Sequence, residues 1–348
     1  MAGESIQEKL LSEREASVLN SIVYEYISTG KTVGSRSFVQ KYSFSLSPAT
    51  MRNVMADLEN LGYLMQPYTS AGRVPTDKGY RFYVDSLLDS YSFSLSEEFS
   101  IKPEMIGNEI QLDTIFQSIT KMLSMVSKYA GVILSPQPDY AVVKRMDLIP
   151  LDNNEIICVI VTRTGKIINK KVVISSNPLA ESLYGFSKYL TEGMSGHTLQ
   201  EIKDKVLDRL RNEKDSNHLA LDIAELAMIE SGKSELHIEG IENLLRIPEM
   251  VENERLNSLL NIIEEKDIIR YILEKTMGDE GVSTLIGEEI DDPRVSGCSM
   301  ISTSYKIGNK NVGVVGVMGP TRMDYKRVVP LVDYTGRIVS DFLTQVSK

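Results

Sequence analysis

Cysteine and long hydrophobic runs are scarce in this sequence of 348 residues. Its two cysteines, Cys158 and Cys298, exclude a disulfide-stapled scaffold and indicate a reducing compartment. The longest uninterrupted apolar run covers 156–161, whereas a helix that crosses a bilayer needs roughly 18 to 20 apolar residues. No apolar stretch near Met1 has the form of a secretory signal. We therefore expect a cytoplasmic protein.

Histidine is also rare, and known catalytic spacings are missing. His197, His218 and His237 are about 20 residues apart, whereas metal sites use closer pairs with cysteine or carboxylate partners. Four glycines between 308 and 319 do not fit G-x-G-x-x-G, and the sequence contains neither a Walker A motif nor a G-x-S-x-G elbow. The sequence predicts no enzyme activity, no catalytic residue, no metal and no cofactor.

Charge is unevenly distributed along the chain. The formal net charge is −10, which taken alone argues against binding to phosphates. Segment by segment, however, residues 31–83 carry seven basic and three acidic side chains, whereas 181–276 carry 12 basic and 20 acidic ones. The acidic charge is therefore concentrated far from a basic N-terminal segment. At roughly 150 residues per domain, the length indicates two or three domains.

Helix-start signals are strong near the N-terminus. Ser12 and Glu15 have the spacing of a capping box, and Gly30 follows the apolar period where a left-handed cap ends a helix. A shorter helix is predicted over 35–42. Ser47 and Pro48 then begin a third helix, as N-cap and first helical residue.

A hairpin and a fourth helix follow these three helices. The run 64–66 leads into a turn at 69–72, the chain returns through 73–75, and Thr76 begins the next helix. Three short helices, a hairpin and a helix are the element order of a winged helix-turn-helix.

The third helix carries side chains that can read DNA bases. Its apolar face, which includes Met51 and Leu58, directs Ala49, Arg52 and Asn53 outward. Arginine can bridge guanine, asparagine can bridge adenine, and an alanine methyl can contact thymine. Two alternatives stay open from the pattern alone, namely an ordinary solvated helix face and a small helical domain that mediates protein contacts.

Farther along the chain, the pattern predicts one α+β domain that is interrupted by an insertion. Strands are expected at 141–150, 155–164 and 166–174, and again at 283–288, 298–307 and 311–318. The intervening block is mostly helical and acidic, with a short strand at 235–240, and a final amphipathic helix covers 324–346. A helix is expected over 112–129.

Several segments at both ends resemble the heat-inducible transcription repressor HrcA family. The N-terminal ones are Thr32–Ser35, Leu46–Asn53, Pro67–Thr76 and Lys78–Arg81; the C-terminal ones are Ile286–Glu289 and Gly319–Tyr325. These matches are ordered and lie near both ends, so the resemblance extends over almost the whole chain. Tyr68 departs from the family pattern, which has a histidine there, and this affects one expected contact of the wing.

The resemblance implies a homodimeric repressor of the GroE and DnaK chaperone operons. Such a repressor binds an inverted-repeat operator, and the GroE chaperonin maintains its active form. The implied α+β multidomain architecture is a winged helix-turn-helix (1–90), a linker (91–102), a GAF-like domain in two parts (103–180 and 277–348), and an inserted dimerising domain (181–276). The DNA-binding residues expected from the motifs and the outward face are Ser47, Ala49, Thr50, Arg52, Asn53, Ser70, Arg73, Thr76, Lys78 and Arg81.

A different function stays open for the GAF-like part, because folds of this kind often hold a small ligand between sheet and loops. The alternative is therefore a small-molecule-sensing regulator or an enzyme, whose N-terminal helices mediate protein contacts. A domain that only supports and spaces the dimer is the simpler expectation, since function inferred from a fold is an analogy.

Overall fold

The structure is a computed structural model. It describes residues 11–42, 44, 46–69, 71–90, 112–151, 155–163, 165–173, 184, 187–188, 191–193, 195–202, 204, 234–251, 266–295 and 297–346. The predicted linker at 91–102 and much of the predicted insertion lie outside these residues.

The described residues form a mixed α/β structure. The helices are α1 Glu13–Thr29, α2 Ser35–Tyr42, α3 Pro48–Asn60, α4 Asp77–Ser90, α5 Leu112–Ser127, α6 Ile241–Leu244, α7 Pro248–Val251, α8 Lys266–Lys275 and α9 Tyr325–Val346. The strands are β1 Leu64–Met65, β2 Val74–Pro75, β3 Ala130–Leu134, β4 Val143–Pro150, β5 Glu155–Thr162, β6 Ile167–Val173, β7 Leu236–Glu239, β8 Val282–Ile286, β9 Cys298–Ile307 and β10 Lys310–Pro320.

The N-terminal helices begin and end where the sequence predicts. Ser12 and Glu15 form the expected capping box of α1, and Gly30 ends this helix in the left-handed conformation with φ 65°. The Ser47 hydroxyl accepts a hydrogen bond from the Thr50 amide, and Pro48 occupies the first turn of α3. These signals are local, so tertiary packing is not needed to place the ends.

The predicted hairpin is a short antiparallel pair. Leu64 lies opposite Pro75 and Met65 opposite Val74. An isolated bridge joins Val33 to Arg73, so the loop between α1 and α2 packs on the returning arm. We call α1 to α4, with β1 and β2, the N-terminal unit; its element order is the predicted one.

A five-stranded antiparallel sheet forms the centre of the C-terminal part, in the order β7-β3-β10-β9-β8. It joins β3, which precedes the helical block, to β10, which follows it, as an interrupted α+β domain requires. The strand β3 was not predicted from the sequence. Its five residues, Ala130–Leu134, are all buried, so they show no alternation of polar and apolar side chains.

This sheet is buried on both faces, as its strands show. Ile301 and Val315 belong to a core cluster that also contains residues of α5, α9 and the N-terminal unit. Met300 and Val314, their neighbours along the strands, belong to a second cluster with α8. Successive side chains of a strand point to opposite faces of the sheet. The strands β9 and β10 therefore contribute side chains to both core clusters.

The other predicted strands form a separate three-stranded antiparallel sheet, β4-β5-β6. The tight turn expected at Gly165 is present, with φ 79°. In contrast, β7 and α8 belong to the segment 181–276 yet pack with the five-stranded sheet and its second core. The domain borders themselves stay a prediction.

Candidate nucleic-acid interface

The first turns of α3 project from the N-terminal unit. Ala49, Arg52 and Asn53 are exposed, as the sequence predicts, and Ser47 and Thr50 are exposed beside them. The Ser47 hydroxyl lies 2.9 Å from the Thr50 hydroxyl and accepts from the Thr50 amide at 3.1 Å. Ser47 therefore acts as the N-cap and stabilises the start of the helix that presents the other four residues.

The opposite face of α3 holds this surface in place. Met51, Val54, Met55 and Leu58 are buried in the core of the N-terminal unit. Because these four residues repeat with helical spacing, α3 is fixed in rotation and residues 49, 52 and 53 point outward. Within the part of the chain that the structure describes, neither the Arg52 nor the Asn53 side chain has a hydrogen-bond partner.

Arg73 lies on the hairpin but points back toward α3. Its Nε donates to Glu59 Oε2 at 2.8 Å, and its Nη2 is also 2.8 Å from that oxygen. This ion pair, together with the bridge to Val33, fixes the hairpin against the last turn of α3. The predicted contact of Arg73 with DNA stays a prediction. Ser70, also expected at this interface, lies outside the described residues.

Thr76 and Lys78 both contact the end of α3. The Thr76 hydroxyl donates to the Gly62 carbonyl at 2.7 Å and accepts from the Gly79 amide at 3.2 Å. The Lys78 ammonium is exposed and lies 4.5 Å from the centre of the Tyr63 ring. Thr76 thus caps α4, whereas Lys78 presents a positive charge to solvent.

Arg81 is directed toward the C-terminal part instead. Its Nε donates to Glu289 Oε1 at 2.8 Å, and its guanidinium also contacts the Thr284 carbonyl and Asp85. The structure therefore brings Ser47, Ala49, Thr50, Arg52 and Asn53 together on one helix and gives Arg81 protein partners. The predicted phosphate contact of Arg81 is untested.

The basic residues of 31–83 fall into two groups, those that bind a carboxylate of this chain and those that do not. Lys41, Arg73 and Arg81 each bind a glutamate. No carboxylate among the described residues lies within ion-pair distance of the remaining four cations, which are Lys31, Arg36, Arg52 and Lys78.

Arg36 is a further candidate for a DNA contact, which was not predicted from the sequence. It is exposed in the first turn of α2. In helix-turn-helix proteins the helix before the recognition helix crosses the DNA backbone, so an exposed cation here can contact phosphate. The sequence feature that could have identified Arg36 is its position at the start of the short helix predicted over 35–42.

Both cysteines are buried. Cys158 and Cys298 are at most 1% exposed. Burial raises the pKa of the Cys158 thiol to about 12, so this group stays protonated and unreactive near neutral pH. Both cysteines are small core residues.

The fold also brings Asp113, Glu235 and His237 together, with ligand atoms within 4.8 Å of one another. This group is not visible in the sequence, because Asp113 comes from α5 and the other two residues come from the region of β7. The Lys166 ammonium binds Glu235 at 2.9 Å and lowers the pKa of that carboxyl. Burial lowers the pKa of His237. We interpret the group as an ion-pair cluster, since an ammonium already neutralises Glu235.

Comparisons with known proteins identify the class. A family model described as the HrcA protein C terminal domain matches residues 113–329. A heat-inducible transcription repressor HrcA of Geobacter sulfurreducens is 36% identical over 96% of this chain and 98% of its own. The corresponding repressor of Leptospira biflexa is 32% identical over 97% of this chain and 99% of its own.

A solved structure has a related mixed α/β fold. It is the 2.2 Å crystal structure of a protein described as hypothetical, with 26% identity and a TM-score of 0.64. The match covers 97% of this chain and all of the other one. Among the described residues, no helix has the length and apolar character needed to cross a membrane.

These relatives are repressors of transcription, a class of regulatory proteins rather than of enzymes. The chain belongs to the heat-inducible transcription repressor HrcA family. The resemblance seen in the sequence motifs is therefore confirmed.

Proposed function

We propose that this protein is a sequence-specific DNA-binding repressor of the GroE and DnaK chaperone operons. It acts in the cytoplasm as a homodimer on an inverted-repeat operator. The first turns of α3 enter the major groove, where Arg52 and Asn53 read bases. Lys78 and Arg36 contact phosphates and position the helix.

The exposed start of α3 is the observation that carries this proposal. Arg52 and Asn53 have side chains suited to base edges, and Ala49 leaves space for close approach. The amino end of a helix also carries a partial positive charge, which favours approach to phosphate. Among the described residues no carboxylate lies within ion-pair distance of Arg52, so its charge is available to an anionic partner.

The domain arrangement is part of the proposal. The N-terminal unit is a winged helix-turn-helix (1–90), which a linker (91–102) connects to a GAF-like domain (103–180 and 277–348). The dimerising insertion is predicted at 181–276. The packing of β7 and α8 with the five-stranded sheet favours an end of the insertion near residue 234.

The proposed homodimer and the proposed dependence on chaperonin rest on different observations. An inverted repeat is bound most simply by two copies related by a two-fold axis, and the excess of acidic residues in 181–276 keeps that segment away from DNA. Dependence on the GroE chaperonin rests on the family resemblance. Sedimentation of the full chain tests the first point: a dimer is expected, and a monomer at operator-binding concentrations contradicts it.

The small-molecule alternative has less support from the cavity inside the GAF-like part. A cavity between α5, α9 and the β5–β6 turn is lined by apolar Phe116, Ile168 and Leu343, with Lys166 and Arg163 nearby. Its volume is about 50 Å³, whereas ligand pockets are typically about 300 to 1,000 Å³. A cavity of this size suits a few water molecules rather than a metabolite.

A binding titration tests the function directly. The wild-type chain is titrated against a labelled duplex that carries the inverted repeat from a chaperone promoter and against a scrambled duplex of equal composition. We expect at least a thousandfold preference for the repeat, as is typical of specific DNA-binding proteins. Adding chaperonin should increase the fraction of active repressor.

Lys78→Ala separates phosphate contacts from base contacts. Because Lys78 is expected to neutralise one phosphate, its removal should weaken both duplexes similarly and reduce the salt slope by about one. Equal wild-type affinities for the repeat and the scrambled duplex would contradict sequence-specific binding. An unchanged salt slope in the variant would remove Lys78 from the interface.

A further inference from the structure

The N-terminal unit is attached to the C-terminal part by contacts of residues outside the exposed start of α3. We infer that Asp77, Arg81 and Arg322 are positioning residues that set the orientation of α3 and thereby the spacing of half-sites that the dimer accepts. This inference rests on the proposed function, because it concerns how that function is made selective. It assigns a role to the C-terminal segments that contact the N-terminal unit.

The first contact joins the start of α4 to the turn after β8. Asp77 Oδ2 accepts a hydrogen bond from the Glu288 amide at 3.0 Å. The preceding residue, Gly287, has φ 53°, and a Cβ at this position would overlap the Asp77 carboxylate. Glycine is therefore required here both by the backbone conformation and by the close approach of Asp77.

The second contact is the ion pair of Arg81 with Glu289. Arg81 Nε donates to Glu289 Oε1 at 2.8 Å, and the guanidinium also donates to the Thr284 carbonyl. The Glu289 carboxylate in turn accepts from the Ile286 amide at 2.9 Å. The backbone of the segment 286–289 therefore already orients the Glu289 carboxylate that binds Arg81. This fixes the geometry of the charged hydrogen bond.

The third contact is made by Arg322 at the end of α1. Its Nη1 donates to the Ile27 carbonyl at 2.7 Å, and its Cζ lies 3.3 Å from the Cβ position of Gly30. The last turn of α1 contains no basic residue of its own. Arg322 supplies a positive charge to the partially negative end of this helix from the other part of the chain.

An apolar core continues across the same boundary. The rings of Tyr80 and Tyr325 are 6.2 Å apart, and both residues are almost fully buried. A buried hydrophobic interface restricts relative domain motion. Two clefts of about 480 and 430 Å³ flank the boundary, and Arg322 lines both. Hydrogen bonds are directional, whereas apolar contacts are not. The polar contacts at 77, 81 and 322 therefore define the angle between the N-terminal unit and the C-terminal part.

Two of the sequence motifs acquire a physical role in this way. The segments Ile286–Glu289 and Gly319–Tyr325, which resemble C-terminal signatures of the family, are the ones that contact the N-terminal unit. The two recognition helices of a dimer must meet half-sites about one helical turn, roughly 34 to 36 Å, or a multiple of it apart. A fixed angle between the parts makes the protein sensitive to that distance.

Operator spacing provides the test, carried out with the full-length chain. Arg322→Met and Glu289→Gln are compared with the wild type on duplexes with the native half-site spacing, with spacings altered by two base pairs, and with a single half-site. Arg327→Met serves as the matched control, because Arg327 is exposed on α9. Losing one charged hydrogen bond should weaken binding at the native spacing about tenfold.

The expected pattern distinguishes positioning from general damage. Affinity for the single half-site should stay unchanged, the preference for the native spacing should decrease, and Arg327→Met should behave like the wild type. A variant that retains the wild-type spacing preference, or that loses half-site affinity to the same extent, overturns the inference. Glu289→Gln keeps the shape of the side chain and is the variant to rely on if Arg322→Met does not fold.

Hydrogen exchange gives a readout that does not require DNA. Both variants should increase exchange of the Glu288 amide while leaving α3 protected as in the wild type. Unchanged exchange at Glu288 would also overturn the inference. If the wild-type chain fails to prefer the inverted repeat, the proposed function is wrong, and the exchange result still decides whether these residues hold the N-terminal unit.

Discussion

Gly72→Ala is expected to displace the hairpin of the N-terminal unit. A Cβ at Gly72 would lie 2.5 Å from the Val33 carbonyl oxygen and 2.6 Å from its carbon. These atoms belong to backbone, so no side-chain rotation relieves the overlap. The returning arm must move away from the loop between α1 and α2.

The cost follows from the contacts that this movement breaks. The Val33 amide donates to the Arg73 carbonyl and the Arg73 amide donates to the Val33 carbonyl, both at 2.9 Å. Each backbone hydrogen bond contributes about 1 kcal/mol. Moving Arg73 also weakens its partly exposed pair with Glu59, which is worth less than about 1 kcal/mol. The free energy of unfolding should therefore decrease by about 2 to 3 kcal/mol.

Urea denaturation followed by circular dichroism measures this change. Gly193→Ala is the matched control, because nothing lies within 4 Å of the Cβ position of Gly193. It should not lower the free energy of unfolding, because Gly193 is helical and alanine is favoured over glycine in a helix by about 0.5 to 1 kcal/mol. If Gly72→Ala also causes no loss, the backbone bridge between Val33 and Arg73 does not hold the hairpin.

Three further predictions concern stability and reactivity. Lys41 and Tyr42 donate to Glu25 and lower the pKa of this carboxyl, so its stabilising effect is present at neutral pH and decreases as the pH falls below about 4.5. Glu25→Gln should therefore destabilise the protein at pH 7 by about 1 kcal/mol and much less at low pH, whereas a pH-independent difference would contradict this explanation. Leu58→Ala should reduce the free energy of unfolding by about 2 to 5 kcal/mol, since Leu58 is fully buried; a loss below about 1 kcal/mol in urea denaturation would mean that its core is loosely packed. Cys158 should react with a thiol reagent only after unfolding, because burial raises its pKa to about 12; rapid labelling of the native protein would contradict this.

The ends of the N-terminal helices could be predicted from the sequence because their signals are local. Ser12 with Glu15, Gly30, and Ser47 with Pro48 act within one turn of chain. The strand β3 could not be recognised in this way. It is buried on both faces between β7 and β10, so its short apolar run lacks the alternation that marks a half-exposed strand.

The partners of charged residues also depend on contacts distant in sequence. A helical pattern places Arg81 near the surface of α4 but contains no information about Glu289, which only the fold brings beside it. Arg52 and Asn53 were predictable as exposed residues because the apolar stripe of α3 fixes their direction. The same limit applies to Asp113 and His237, which approach each other through the packing of α5 on β7.

The specificity of Asn53→Ala is the most direct test of sequence-specific binding through α3. The ratio of the affinities for the inverted repeat and for a scrambled duplex is measured at one salt concentration for the wild type, Asn53→Ala and the control Asn60→Ala. Asn60 is exposed at the opposite end of the same helix. Asn53→Ala should lose about 1 to 3 kcal/mol on the repeat and little on the scrambled duplex, while Asn60→Ala keeps the wild-type ratio. Equal losses of Asn53→Ala on both duplexes would show that α3 does not read bases through this residue.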